Sequence, residues 1–222
     1  MRALLGLGLL LLLALVAALF LVEAGEGPDA PVEAAIGAAH FAYPRGFARD
    51  EGAAVGGSTE RLDLMAEFPD FTPPRQKGSK SGQGGQNGVV LIAVTPKDDS
   101  IDPKDRPQRL YARFLESGVW IGPEGLILRR FEQGSPYDLE ELYIAPPDGR
   151  TFFARCLKPG EAAAAARDFC LFLFREDDLD VELRFAPALL EHWVALTEGA
   201  HAFLARIRAP GKAKSARTEA GR

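Results

Sequence analysis

Two cysteines, Cys156 and Cys170, are the only ones in this 222-residue chain, and thirteen residues separate them. Such a pair can be half of a metal site, a redox couple or a structural disulfide. A zinc-type site needs further ligands nearby, and His40, His192 and His201 fall in no Cys-x-x-Cys or His-x-x-x-His frame. His192 and His201 are nine residues apart, about half a turn around a helix, so they cannot share a metal on one. Carboxylates offer a second chemistry, in the run Glu176, Asp177, Asp178, Asp180 and in the pair Glu140-Glu141. Glycoside hydrolysis needs one carboxyl group in an apolar pocket that raises its pKa, whereas acids crowded into a turn read as a solvated hairpin. Asp98, Asp99, Asp102 and Asp105 could offer oxygens to calcium, but their spacing is not that of an EF-hand and Pro103 and Pro107 interrupt it. No serine stands in a Gly-x-Ser-x-Gly frame. The sequence therefore assigns no catalytic, cofactor-binding or metal-ligating residue, and the chain is read as non-enzymatic.

One further stretch could make contacts. Residues 73–88, PPRQKGSKSGQGGQNG, carry Arg75, Lys77 and Lys80 and no acid. This is a candidate basic finger for an acidic partner or lipid headgroups, set against a surface insertion tolerated because flexible loops lengthen at little cost. It lacks the Walker spacing and leads into a strand pattern, which excludes a P-loop.

The elements that position these residues begin with twenty residues, Ala3 to Val22, that contain no charge. At about 1.5 Å per residue they span about 30 Å, the thickness of a bilayer's hydrocarbon core. Length favours an uncleaved transmembrane anchor over 1–22. The alternative is a cleaved signal, since Val22-Glu23-Ala24 has the spacing a signal peptidase accepts. Arg2 precedes the span while Glu23, Glu26, Asp29 and Glu33 follow it. That polarity predicts a single-pass bacterial inner-membrane protein with a cytoplasmic N-terminus and a periplasmic domain. Thiols oxidise in that compartment, so Cys156 and Cys170 are expected to form a disulfide, favoured over free or catalytic thiols. A formal net charge of −5 argues against a nucleic-acid partner.

Residues 23–39 are small, acidic and broken by Pro and Gly, and read as a flexible spacer. Residues 40–210 suffice for one core, and 211–222 read as a disordered polar tail. Alternation in ERLDLMAEF marks a half-buried strand, and the continuous apolar run Val89–Val94 marks a central strand covered on both faces. PQRLYARFLES has helical spacing behind Pro107. Beyond Gly125, the runs GLILRRF, LEELYIA, TFFARCL, DFCLFLF and VELRF, joined by short turns, predict an antiparallel meander. Leu189, Leu190, Trp193, Leu196, Ala200, Phe203, Leu204 and Ile207 form an apolar stripe ending at Pro210-Gly211. The expected fold class is α+β: an N-terminal transmembrane helix, then one antiparallel-sheet domain with a long C-terminal amphipathic helix packed on the sheet.

RLDLMAEFPDFTP and RFAPALLEHW resemble stretches of bacterial single-pass, membrane-anchored proteins of unknown function, a family that implies no activity. With no catalytic set, the reading is a membrane-tethered periplasmic module that binds another envelope protein as an accessory factor. The alternative is an inhibitor or immunity-type protein that blocks a toxin or envelope enzyme through the 73–88 loop or the acidic turn.

Overall fold

The computed structural model describes residues 27–74, 88–158 and 169–210. The apolar span 3–22, Arg75, Lys77 and Lys80, the alanine run of 161–166 and the tail 211–222 lie outside the described residues. Among the described residues no helix is long and apolar enough to cross a membrane.

The first strand, β1 (Pro31–Ile36), buries Val32, Ala34 and Ile36 while the residues between them are more exposed, the two-residue period of a strand with one covered face. Gly37, at φ +56°, turns the chain straight into β2 (Ala39–Pro44), antiparallel to β1. Helix α1 (Glu51–Val55) starts at Asp50, whose carboxylate accepts the Ala53 N–H at 2.9 Å. It leads into β3 (Gly57–Ser58), parallel to β1. Much of the segment expected to be a spacer is therefore sheet, and only its first residues precede the fold. Ala34 and Ala35 carry too little hydrophobicity to announce a strand, yet they pair with Phe41 and His40 of β2 and with Gly57 and Ser58 of β3.

Eight strands form the large sheet: β4 (Leu62–Glu67), β5 (Val89–Pro96), β6 (Trp120–Ile121), β7 (Ile127–Arg130), β8 (Glu140–Ile144), β9 (Phe153–Leu157), β10 (Cys170–Glu176) and β11 (Leu179–Phe185). Their order is β4-β5-β11-β10-β9-β8-β7-β6. Every neighbouring pair is antiparallel. From β6 to β11 each strand lies beside its predecessor, the meander that short turns favour. Strand β5 stands one place from the sheet edge. Val90, Ile92 and Val94 are buried, while on the other face Ala93 is buried but Val89 and Leu91 stay half-exposed, so the second face is covered only in part.

Cover on the second face lies elsewhere. The helical segment 107–114 is two short irregular turns, Pro107–Tyr111 and Ala112–Phe114. Tyr111 packs with Phe131 just past β7, Leu142 and Ile144 on β8 and Phe153 on β9, flanked by Leu110, Phe114 and Leu115. On the main core side, a tight turn at Pro187–His192 precedes α2 (Trp193–Ile207). Leu196, Ala200, Phe203, Leu204 and Ile207 of α2 are buried in a core shared by both sheets. Phe203 stacks against Phe47 at 5.1 Å and Phe71 at 6.0 Å between ring centroids. Gly199 makes that packing possible, because a Cβ there would stand 2.4 Å from Phe71 Cε2. Finally β12 (Arg208–Ala209) pairs with β2 and completes a four-stranded sheet, β12-β2-β1-β3. There are thus two sheets where one was expected, because the second joins segments from opposite ends of the domain, a pairing that leaves no local sequence pattern.

Candidate functional site

Cys156 and Cys170 sit directly opposite each other on β9 and β10, and their Sγ atoms are bonded at 2.00 Å. Both are buried in the main core.

The acidic residues disperse. Glu140 and Glu141 are consecutive on β8 and so face opposite sides of the sheet. Glu140 takes Arg155 Nη1 at 2.6 Å, and that guanidinium lies 4.9 Å from the Tyr137 ring. Burial pushes the Glu140 carboxyl above its usual range, with Arg155 opposing the shift. Glu141, 8 % exposed, accepts from Arg130 Nε at 3.3 Å and from the Tyr143 hydroxyl at 3.2 Å. Burial first, and then the Glu141 charge, push the Tyr143 phenol up to about 12. No carboxylate dyad forms at these two residues.

The acidic turn between β10 and β11 is tied down residue by residue. Glu176 meets His201 Nδ1 at 3.0 Å, Asp177 meets Arg208 at 2.7 Å, Asp178 meets Lys97 at 2.7 Å and Asp180 meets Arg175 at 2.6 Å. The first three partners come from α2, β12 and the residue following β5, so the turn fastens the two sheets and the helix together, while Arg175 lies on β10 itself. In the Asp98–Asp105 loop, Asp102 caps the Lys104 N–H at 3.2 Å and Asp98 accepts the Ser100 N–H at 2.9 Å. That bonding with Ser100 holds the Asp98 carboxyl below its usual range. Among the described residues no group of three or more His, Cys, Asp or Glu is placed to hold a metal ion. His192 stacks on Phe68 at 5.8 Å and His201 on Phe174 at 4.3 Å, each serving packing.

The surface that stands out was not singled out in the sequence. Trp120 and Ile121 form β6, the outermost described strand of the large sheet, and are 36 % and 92 % exposed, with Val119 just before them 62 % exposed. Beside them the turn at Glu124 meets the start of α2, where Trp193 Nε1 donates to the Glu124 carbonyl at 3.2 Å. A hollow of about 350 Å³ opens there, walled by Glu124, Glu191, Trp193, Val194 and Glu198. A second hollow, of about 410 Å³, lies on the small sheet among Ala34, Ala35, Gly57, Ser58 and Ala209. The signal for the exposed apolar patch was present as three large apolar residues, Val119 to Ile121, framed by Gly118 and Gly122. It falls between the helical segment and the meander, and it is too short to read as a strand.

No family model matches the sequence, and no curated protein matches it. Solved structures do. The immunity protein Smlt3025 of the Stenotrophomonas maltophilia type IV secretion system aligns with a TM-score of 0.56 and 19 % identity, over 82 % of this chain and 94 % of that one. The Neisseria meningitidis iron-regulated outer membrane lipoprotein FrpD aligns with a TM-score of 0.45 and 11 % identity, over 81 % of this chain and 95 % of that one. The likeness to Smlt3025 is one of fold: the two α+β domains share their architecture across nearly the whole of the immunity protein.

Proposed function

We propose that this chain is a membrane-tethered, periplasm-facing protein of the immunity type, whose folded domain binds one partner protein and blocks it. The observation that carries this reading is the fold shared with an immunity protein over 94 % of that protein's length. Three features of the chain support it. The apolar run 3–22 has the length of a membrane anchor. The Cys156–Cys170 bond suits an oxidising compartment. The ionisable clusters of the described residues are engaged in fastening the fold, which leaves the surface free for recognition. Arg75, Lys77 and Lys80 remain candidate contacts on the same partner.

The test is a crosslinked pull-down of the anchored protein from its own cells, followed by reconstitution with the recovered partner. A single dominant partner, bound one to one and losing its toxic or enzymatic activity on binding, is the expected result. A partner bound with its activity intact would replace the immunity reading with that of an envelope accessory factor. An empty pull-down would remove both. Deleting residues 75–86 measures what the basic loop contributes.

A further inference from the structure

We infer that β6 is a docking strand, whose open edge takes up an extended segment of the partner, apolar residues alternating with Lys or Arg, as an added strand of the large sheet. The inference rests on the partner-binding reading above.

The inner edge of this segment is already satisfied. Gly122 N–H donates to Leu126 O at 2.7 Å and Glu116 N–H to Arg130 O at 3.0 Å. Between the pairs Leu115↔Phe131 and Trp120↔Leu128 the register gains two residues on the outer chain. Arg129 fills the slack, donating through Nε to Gly118 O at 3.0 Å and through Nη2 to Glu116 O at 2.6 Å. Residues 116, 118, 120 and 122 thus turn their backbone toward β7. By alternation within β6, Ile121 presents its backbone to the side on which no strand pairs among the described residues.

Protein sheets blunt such edges with lysine, proline, inward charges, bulges or very short strands. This edge is short and bulged, but from Gly118 to Gly122 it carries no lysine, proline or charge, and its exposed side chains are large and apolar. Trp120 is held ready. Its indole lies back over Gly118, where a Cβ would stand 2.3 Å from the ring, and the Arg130 guanidinium sits 4.6 Å from its centroid. Arg130 is itself anchored on Glu141. A tryptophan already fixed in place loses little rotamer freedom on binding, and tryptophan is enriched at interface hot spots.

Charge selects the occupant. Glu116 and Glu124 bracket the strand, and Glu191 and Glu198 line the adjoining hollow. None of these four carboxylates has an ion-pair partner among the described residues. On the neighbouring strand, Arg129 is engaged on backbone carbonyls and Arg130 on Glu141. A second copy of the chain would bring the same acids against themselves, whereas a lysine- or arginine-bearing strand complements them.

The test uses the full chain in detergent and a capped heptapeptide, Lys-Val-Lys-Ile-Lys-Val-Lys, beside its glutamate counterpart, with hydrogen exchange as readout. Saturable binding of the lysine peptide below about 1 mM is expected. It should slow exchange at Ile121, weaken at least about tenfold in Ile121→Lys, and be absent for the glutamate peptide. Ile121 is 92 % exposed, so that variant folds. Equal binding of both peptides, unchanged exchange at β6, unchanged affinity in Ile121→Lys, or a dimer formed through β6 would each overturn the inference. A recovered partner that binds Ile121→Lys as tightly as wild type would sink the docking strand and leave the immunity reading standing. An empty pull-down beside positive peptide binding would do the reverse.

Discussion

Cys156 and Cys170 close a ring of about fifteen residues, which in the chain-entropy model stabilises the fold by about 3 kcal/mol. Cys156→Ala, or reduction, is expected to lower the unfolding free energy by that order, read by urea denaturation. An unchanged midpoint would mean that the β9–β10 ladder alone holds this edge of the core. The tyrosines make a pH prediction. Burial, with the Asp50 charge adding to it, lifts the Tyr43 phenol to about 12, and Tyr143 reaches a similar value. Burial also raises Tyr111, against the opposing charge of Arg155. A phenol whose folded pKa exceeds its unfolded pKa near 10 contributes stability that is whole below pH 10 and lost as pH climbs through the folded value. Stability is therefore expected to fall between pH 10 and 12, with tyrosinate absorbance lagging that of the unfolded chain. Coincident titration of folded and unfolded protein would contradict the burial of Tyr43 and Tyr143.

Among the elements, α2 lies close enough to Phe71 that its middle must be glycine. Gly199→Ala would gain about 1 kcal/mol of helix propensity. It also forces the buried Phe71 ring aside, and Phe71 is fixed at φ +49° with its carbonyl held by Arg206 Nη2. A net loss of about 1–3 kcal/mol is expected, larger for Gly199→Val, and a stabilised alanine variant would show that the ring yields freely. The acidic turn separates two kinds of ion pair. Asp178 is well exposed, so Asp178→Ala should leave the thermal midpoint nearly unchanged. Asp180 takes both Nε and Nη2 of Arg175 at 2.6 and 2.8 Å with both partners largely covered. Asp180→Ala should cost about 1–3 kcal/mol, and equal thermal midpoints for the two variants would refute the distinction.

For the whole molecule, the anchor, the bridged domain and the partner form one proposal with one inexpensive entry point. The intact mass of protein purified from membranes without reductant, compared with the mass after reduction and alkylation, reads both ends of the chain. Retention of Met1 or Arg2, with two thiols appearing only on reduction, is the expected result. A mass beginning near Gly25 would make 1–22 a cleaved signal, and thiols open from the start would refute the oxidising compartment. On this proposal, a tethered domain would meet a partner crossing the same membrane at high local concentration, which is how a docking strand would act.

Much of this protein is legible without coordinates. Twenty uncharged residues set the length of a possible span, alternation in Leu62–Phe68 and the runs beyond Gly125 specify strands, and the stripe from Leu189 to Ile207 specifies a helix with one buried side. These are local periodicities, and local periodicity is what a linear sequence displays. Tertiary structure alone decides the rest. Arg208 pairs with Phe41 to close a second sheet, Ala34 is buried in a core that its own side chain does not announce, and Glu140 and Glu141 part to opposite faces. Only the strand order shows that Val119-Trp120-Ile121 lies on an open edge, because whether an apolar residue is covered depends on which strand comes last.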